Sequence, residues 1–255
     1  MPLTLSEKTG EILIVGGGTT PPAAVNRFIE AAGGQEARIV VLAHTRQNPE
    51  EEGSKSADLF RENGAINVLL PGSLISSEIV AVLKNAKGVW IPGGDQNRFV
   101  ERLPESSGVP AAIREVWKRG GVVGGTSAGA SLVGGLMPTG EDTKIEGLKS
   151  GLCPVRPGLS LLPRVITDQH FFVRNRSQRL FTAVLEHPDF TGIGLDEGAW
   201  VTIRDHRLSV KSGQVMLVRV KGKIRETEKR LAVSELSVKI LLPPLPGEPD
   251  TFQLK

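Results

Sequence analysis

Several features that define large classes of proteins are rare or missing in this 255-residue chain. Its single cysteine, Cys153, excludes an internal disulfide framework and suits a reducing cytoplasm. No apolar run reaches the ~18 residues that a membrane-spanning helix needs. The opening residues MPLTLSEKTGEILIV have neither a basic region nor a long apolar stretch, so we expect no signal peptide. The sequence therefore predicts a cytoplasmic protein that makes no contact with a membrane.

Charge of one sign and aromatic residues are also scarce. The formal net charge is only +3, tyrosine is absent, and aromatic residues make up 4% of the chain. Nucleic-acid binding is disfavoured, because it relies on clustered Lys and Arg, which here are spread along the chain. Hydrophobic residues at 39% and charged residues at 23% are typical of a domain with an apolar core. With no linker, internal repeat or low-complexity block, the simplest interpretation is one domain over residues 1–255.

What the first half does contain is an alternation of short apolar runs, rich in Val and Ile, with segments of helical spacing. Strands that are apolar on both faces and alternate with helices predict a parallel sheet covered by helices on both sides. The predicted fold class is therefore α/β, with a mostly parallel sheet sandwiched by helices. The predicted strands lie at 11–15, 37–43, 66–72 and 88–94, and the predicted helices at 23–32, 56–64, 76–86 and 110–121.

The second half has a different pattern. VTIRDHRLSV at 201–210 and GQVMLVRV at 213–220 favour antiparallel strands late in the chain. Residues 243–255 begin with PPLPGEPD, and we expect them to form an irregular tail. In the first half, the charged segment PEEEGSK at 49–55 is expected to be a solvated loop.

One glycine-rich turn is a candidate for chemistry. In GVVGGTSAGAS, residues 121–131, Ser127 lies at the centre of a G-x-S-x-G motif between a predicted strand and a segment that can open a helix. This is the pattern of a nucleophile elbow, in which glycines are needed because side chains would collide across the turn. The following helix N-terminus presents backbone N–H groups that help to hold an oxyanion. The alternative is a glycine-rich turn in which the serine only caps the helix.

A serine nucleophile needs a general base, and the base needs an orienting acid. Of the four histidines, His44 and His170 both follow predicted strands, so position alone does not separate them. His187 resembles a helix-end residue, and His206 lies in a predicted hairpin. Candidate acids are Asp196 and Glu197 in GIGLDEGAW. Paired with either of these acids, His170 gives the chain order Ser, His, acid, which differs from the order Ser, acid, His of ordinary α/β-hydrolases.

Four segments in order resemble the serine peptidase family of cyanophycinases and aspartyl dipeptidases, with the cyanophycinases as the nearer branch. They are IPGGDQNRF (91–99), GGTSAGAS (124–131), TDQHFFVRNRSQRL (167–180) and GIGLDEGAW (192–200). The resemblance implies a fold related to the class I glutamine amidotransferases, a homodimer, and no metal or cofactor. It also implies hydrolysis of the aspartate backbone of cyanophycin to β-aspartyl-arginine dipeptides through an acyl-enzyme. The alternatives are an aspartyl or isoaspartyl dipeptidase and a catalytically inactive, peptide-binding relative.

The resemblance also implies roles for individual residues. Ser127 is the expected nucleophile, His170 the base, and Glu197 the acid, with Asp196 as the less favoured acid. The backbone N–H groups of Gly94 and Ala128 form the expected oxyanion hole. The expected substrate pocket consists of Gln96, Asp168, Gln169, Arg174, Arg176 and Arg179. The competing interpretation of the three arginines is a solvated helix face.

Three other segments bear on these expectations. The segment at 16–22, GGGTTPP, lacks the glycine spacing of a nucleotide-phosphate loop. Cyanophycinases often have an acidic residue and a lysine after these glycines, and this chain has neither. AHTRQNPEEEG at 43–53 departs from the family's usual small residues, so the substrate specificity is open. Cys153 precedes a proline and has no elbow, which disfavours a thiol nucleophile.

Overall fold

The computed structural model describes residues 9–139, 147–246 and 251–254. The helices within these ranges are α1 (Pro22–Ala32), α2 (Pro49–Glu62), α3 (Ser76–Leu83), α4 (Gln96–Arg102), α5 (Val109–Lys118), α6 (Ala128–Leu132) and α7 (Ser177–Glu186). The first eight strands are β1 (Glu11–Val15), β2 (Ile39–Val41), β3 (Val68–Leu69), β4 (Gly88–Ile91), β5 (Val122–Thr126), β6 (Gly134–Pro138), β7 (Val155–Pro157) and β8 (Leu162–Asp168). The later strands are β9 (Thr191–Leu195), β10 (Trp200–Arg204), β11 (Arg207–Ser212), β12 (Val215–Val220), β13 (Ile224–Thr227), β14 (Arg230–Val233), β15 (Leu236–Leu241) and β16 (Phe252–Gln253).

The main sheet has the strand order β16-β11-β10-β1-β5-β4-β2-β3 among the described residues. The five strands from the first half are parallel, and β10, β11 and β16 add an antiparallel edge. Every residue of β1 is buried, as expected of a strand with helices on both faces. Leu13 and Val15 pack towards α1 and α2, whereas Ile12 and Ile14 pack towards α3 and α5. The carboxyl ends of β1, β4 and β5 therefore meet at one edge.

A second, mixed sheet has the order β15-β12-β9-β8-β6-β7 among the described residues. One of its faces packs on α7, and the other contributes to the same apolar cluster as the main sheet. In this sheet β8 and β9 run parallel, so their carboxyl ends lie side by side. The predicted functional segment 167–180 begins at the end of β8, and the segment 192–200 contains most of β9 and the residues that follow it.

The charged segment 49–55 forms the first turns of α2, so the predicted loop is wrong. Asn48 caps the helix by accepting the N–H of Glu51, Pro49 occupies the first turn, and three glutamates follow. Each of these features stabilises a helix N-terminus without any apolar periodicity. The absence of apolar residues therefore did not indicate an absence of helix.

Of two late segments, the first forms the hairpin predicted around His206, and the second differs from expectation. The segment 201–210 is a hairpin of two strands, β10 and β11, which turns at Asp205 and His206 with positive φ at both residues. In the predicted tail, Phe252–Gln253 pairs with β11, and Leu254 is only 2% exposed. The tail is therefore not irregular throughout, because its apolar residues cover the end of the main sheet. No helix in the described ranges is long and apolar enough to cross a membrane.

Candidate active site

Ser127 stands in the sharp turn between β5 and α6, with φ 54° and ψ −114°. A residue with a side chain rarely adopts a positive φ, and such strain concentrates at functional sites. The flanking glycines are required by the neighbouring strand β4. A Cβ on Gly125 would lie 2.1 Å from the carbonyl oxygen of Ile91, and one on Gly129 would lie 1.9 Å from it. The turn therefore has the geometry predicted from G-x-S-x-G.

His170 follows β8 and bonds both partners that a general base needs. Its Nε2 lies 2.9 Å from Ser127 Oγ, and its Nδ1 lies 2.5 Å from Glu197 Oε1. With the Nδ1 proton directed at Glu197, Nε2 is left as the acceptor for the serine hydroxyl. The backbone of His170 also has a positive φ of 48°, and its N–H donates to the carbonyl of Gly16 at 2.7 Å.

The two adjacent acids point to different partners. Glu197 contacts His170, whereas Asp196 Oδ1 accepts the backbone N–H groups of Phe172 and Val173 at 3.1 Å each. Asp196 therefore shapes the segment that follows His170, and Glu197 is the carboxylate that reaches the imidazole. The geometry thus distinguishes two residues that the sequence left as alternatives.

The other three histidines have different surroundings. His44 is fully buried, and its Nε2 lies 2.9 Å from the carbonyl oxygen of Ser73. Burial lowers the pKa of His44 and so favours its neutral form. His187 caps the end of α7, and His206 lies at the turn of the β10–β11 hairpin. The histidine that bonds Ser127 is His170.

The glycines after β1 pack directly against the His–Glu pair, which sequence reasoning missed. A Cβ on Gly17 would lie 2.4 Å from the His170 ring, and one on Gly18 would lie 3.2 Å from Glu197 Cβ. The Gly17 carbonyl also accepts the N–H of Gly198 at 3.0 Å. The glycine run lets the backbone approach the imidazole closely. Three glycines directly after a strand were the available signal.

The predicted oxyanion donors are the backbone N–H groups of Ala128, which directly follows Ser127, and of Gly94, which directly follows Gly93. Within the described ranges, neither N–H donates a hydrogen bond to the protein. A Cβ on the preceding Gly93 would lie 3.3 Å from Ser127 Cβ, so this backbone passes close to the serine. Two unpaired donors beside a serine are the arrangement that an oxyanion hole needs.

Two glutamines of the predicted pocket lie near these groups. Gln169 Oε1 is 3.4 Å from Ser127 Oγ. Gln96 begins α4 two residues after Gly94, and its Nε2 donates to the carbonyl of Pro138 at 2.9 Å.

The charged residues of the predicted pocket are mostly buried and bind one another. Arg179 holds Asp168 with two hydrogen bonds, one of them from Nε to Oδ2 at 2.9 Å. Arg176 Nη1 donates to the Gln169 carbonyl at 2.7 Å, and Asp168 Oδ1 accepts the Gln169 N–H at 2.8 Å. Arg174 is exposed. The structure therefore brings Asp168, Arg176 and Arg179 together around the backbone of Gln169, whereas Arg174 lies at the surface.

Cys153 is 3% exposed, and burial raises the pKa of its thiol to about 12. A thiol in this state supplies almost no thiolate at neutral pH, which argues against a cysteine nucleophile. Among the described residues, no group of three or more His, Cys, Asp or Glu side chains is placed to hold a metal ion.

Comparison with known families identifies relatives of this chain. Residues 11–211 match the model of peptidase family S51. The chain is 35% identical to the cyanophycinase of Synechococcus elongatus over 175 residues, which cover 67% of this chain and 54% of that protein. It is 31% identical to the cyanophycinase of Geminocystis herdmanii over 248 residues, 90% of each chain. It is 28% identical to Peptidase E of Escherichia coli O6:K15:H31 over 182 residues, 67% of this chain and 74% of that one. The chain thus spans about half the length of the Synechococcus relative.

Solved structures share the fold. A peptidase from an acI-B1 Actinobacterium superposes with a TM-score of 0.70 at 18% identity, covering 97% of this chain and 98% of that one. A putative Peptidase E from Listeria monocytogenes EGD-e gives a TM-score of 0.54 at 17% identity, covering 80% and 98%. These neighbours confirm the predicted α/β fold, and the family match confirms the predicted resemblance. The chain belongs to peptidase family S51.

Proposed function

We propose that this chain is a serine-type peptidase with Ser127 as its nucleophile. The observation that carries the proposal is the hydrogen-bonded series from Ser127 Oγ through His170 to Glu197, built on a strained elbow. Family membership supports hydrolysis of a peptide bond.

In the proposed mechanism, His170 Nε2 takes the hydroxyl proton as Ser127 Oγ attacks the scissile carbonyl. Glu197 keeps the imidazole oriented and stabilises the imidazolium that forms. The N–H groups of Gly94 and Ala128 then stabilise the negative charge on the tetrahedral oxygen. His170 returns the proton to the leaving amine, which leaves an acyl-enzyme on Ser127. A water molecule, activated in turn by His170, releases the acid.

For the substrate, we propose an aspartyl peptide, with cyanophycin as the first candidate. The cyanophycinases among the relatives support this choice. Cyanophycin has an aspartate backbone with an arginine on each side-chain carboxylate, so each unit carries a free arginine carboxylate. Guanidinium groups pair bidentately with such carboxylates. In the proposal, Arg174, Gln96 and Gln169 bind the substrate. The buried Asp168 and Arg176 position Gln169 through its backbone, and Arg179 holds Asp168.

An aspartyl dipeptidase is the second candidate. Peptidase E relatives support it. So do the two segments at 16–22 and 43–53 that depart from the cyanophycinase pattern, because both lie beside the proposed catalytic groups. We also propose a cytoplasmic homodimer, which rests on the single cysteine and on the family resemblance.

Turnover of cyanophycin, β-aspartyl-arginine and α-aspartyl dipeptides, measured side by side, tests the proposal. The Ser127→Ala variant should fold normally and lose about 10⁴- to 10⁶-fold in kcat, because the oxyanion hole alone leaves a small residual rate. Ser131→Ala is the matched control, since its buried hydroxyl has no hydrogen-bond partner among the described residues. It should retain wild-type kcat.

Near-normal turnover by Ser127→Ala would contradict the proposed nucleophile. If no peptide is cleaved and a fluorophosphonate does not label Ser127, the chain is a binding protein that resembles a peptidase.

A further inference from the structure

The orientation of one peptide unit decides whether Gly94 can serve the oxyanion hole. The Gly94 N–H belongs to the same planar unit as the Gly93 carbonyl, and in a trans peptide these two groups point in opposite directions. A contact that fixes the Gly93 carbonyl therefore also fixes the Gly94 N–H. Glycine at both positions gives this peptide unusual freedom to rotate, so some other group has to hold it.

Thr45 makes that contact. Its side chain is fully buried, and Oγ1 lies 3.1 Å from the Gly93 carbonyl oxygen and 3.1 Å from that of Pro92. The hydroxyl has one proton, which the two carbonyls share. The Thr45 carbonyl in turn accepts the N–H of Asp95 at 2.9 Å. Thr45 thus binds the oxyanion turn from both sides of Gly94.

The loop that carries Thr45 is itself tied to α4, the helix that begins directly after this turn. Arg98 Nη1 donates to the Thr45 carbonyl at 2.8 Å. One turn later, Arg102 donates to the carbonyls of Arg46 and Gln47, at 2.5 and 2.8 Å. The Thr45 loop, the Gly93–Gly94 turn and the start of α4 therefore form one hydrogen-bonded unit. This unit holds Thr45 Oγ1 in place, so Oγ1 cannot easily move with the Gly93–Gly94 peptide if that peptide rotates.

We propose that Thr45 is a positioning residue, which aims the Gly94 N–H at the oxyanion of the transition state through its hydrogen bond to the Gly93 carbonyl. The inference rests on the proposed serine mechanism and extends it to a residue outside the catalytic series. Without the hydroxyl, the Gly93 carbonyl loses its buried donor, and the peptide is free to turn that carbonyl towards Ser127. A carbonyl oxygen in that place would repel the developing negative charge.

The test compares Thr45→Val, which keeps the shape and removes the donor, with Thr45→Ser, which keeps the donor. We expect Thr45→Val to lower kcat by about 10²- to 10³-fold, the usual effect of losing one oxyanion donor. KM should change little, because ground-state binding does not use the hole. Thr45→Ser should recover most of the kcat. A role in stability alone would not separate kcat from KM in this way.

Labelling of Ser127 by a fluorophosphonate gives a readout that needs no natural substrate, because its transition state also carries a charged oxygen. Thr45→Val should slow labelling by a factor similar to the loss in kcat, whereas ground-state peptide binding, measured in the Ser127→Ala background, should not change. If Thr45→Val does not fold, Thr45→Ala serves the same comparison.

The outcomes separate the two proposals. Wild-type labelling rates in both donor-free variants, or no recovery in Thr45→Ser, would overturn the role of Thr45 while leaving the serine mechanism intact. Failure of the wild-type protein to label at Ser127 would overturn both.

Discussion

At the scale of single residues, the candidate site depends on backbone conformations that most side chains avoid. Ser127 and His170 both have positive φ, at 54° and 48°. Each such residue costs about 1–3 kcal/mol and persists only where its surroundings determine it. Here the surroundings are the Ile91 carbonyl beneath the elbow and the Gly16 carbonyl that binds the His170 N–H. With these backbone conformations, the two proposed catalytic side chains lie within hydrogen-bond distance of each other.

The adjacent acids allow a residue-scale prediction. Glu197→Gln removes the negative charge that faces His170 Nδ1, whereas Asp196→Asn keeps an oxygen that can accept the same two backbone N–H groups. Glu197→Gln should lower kcat about 10²- to 10³-fold, less than the ~10⁴-fold known for a fully buried triad acid. The smaller effect is expected because the Glu197 side chain is 42% exposed and solvent screens its charge. Steady-state kinetics on both variants measures the difference, and a larger loss in Asp196→Asn would reassign the acid.

At the scale of secondary structure elements, a buried ion pair joins the end of β8 to α7. Asp168 on β8 is fully buried, and it meets Arg179 of α7 through two hydrogen bonds. The same carboxylate accepts the N–H of Gln169, next to His170. The pair therefore connects the strand, the helix and the turn that carries the proposed base.

Asp168→Asn tests whether this pair stabilises the fold or binds substrate. Removing the charge beside a buried guanidinium should lower the free energy of unfolding by about 3–5 kcal/mol. Urea denaturation measures the loss, and Asp58→Asn is the control, because its pair with Arg61 is about half exposed and should contribute about 0–1 kcal/mol. A rise in KM with unchanged stability would instead assign Asp168 to the substrate.

At the scale of the whole molecule, the two large sheets share one apolar cluster, and the C-terminal residues help to close it. Leu254 belongs to this cluster, and its N–H donates to the His206 carbonyl at 2.7 Å. Gln253, on the edge of the main sheet, accepts Arg219 of the second sheet at 2.6 Å. The last described residues therefore link both sheets.

Leu254→Ala should accordingly destabilise the protein although it lies near the end of the chain. We expect a loss of about 2–5 kcal/mol in the free energy of unfolding, the usual effect of truncating a buried leucine. Leu242→Ala, at a leucine that is 58% exposed, should change it by less than about 0.5 kcal/mol. Equal midpoints for the two variants in denaturant would show that the C-terminal segment does not stabilise the core.

Local rules were enough for several elements of the first half and for the elbow. The strand at 11–15 has the predicted bounds, because a run of Val, Ile and Leu that is apolar on both faces suits only a covered strand. The turn at Ser127 was predictable because G-x-S-x-G is the local signature of a strand–turn–helix elbow, although the collision that its glycines avoid is with the Ile91 carbonyl of the neighbouring strand β4. The start of α2 was also encoded locally, in a cap, a proline and three glutamates, but apolar periodicity does not detect such a signal.

The partners of these residues were decided only by the tertiary structure. His44 and His170 both follow strands, yet the strand order and the path of the chain after β8 bring only the second to Ser127. The tertiary structure likewise decided that Glu197, and not Asp196, contacts His170 and that Gly17 packs against the imidazole. It also decided that Asp168 pairs with Arg179 and that Thr45 bonds the Gly93 carbonyl. Each of these contacts joins separate loops or elements, and its geometry depends on how strands and helices pack. Local sequence sets the backbone's preferences, whereas long-range packing sets which side chains meet.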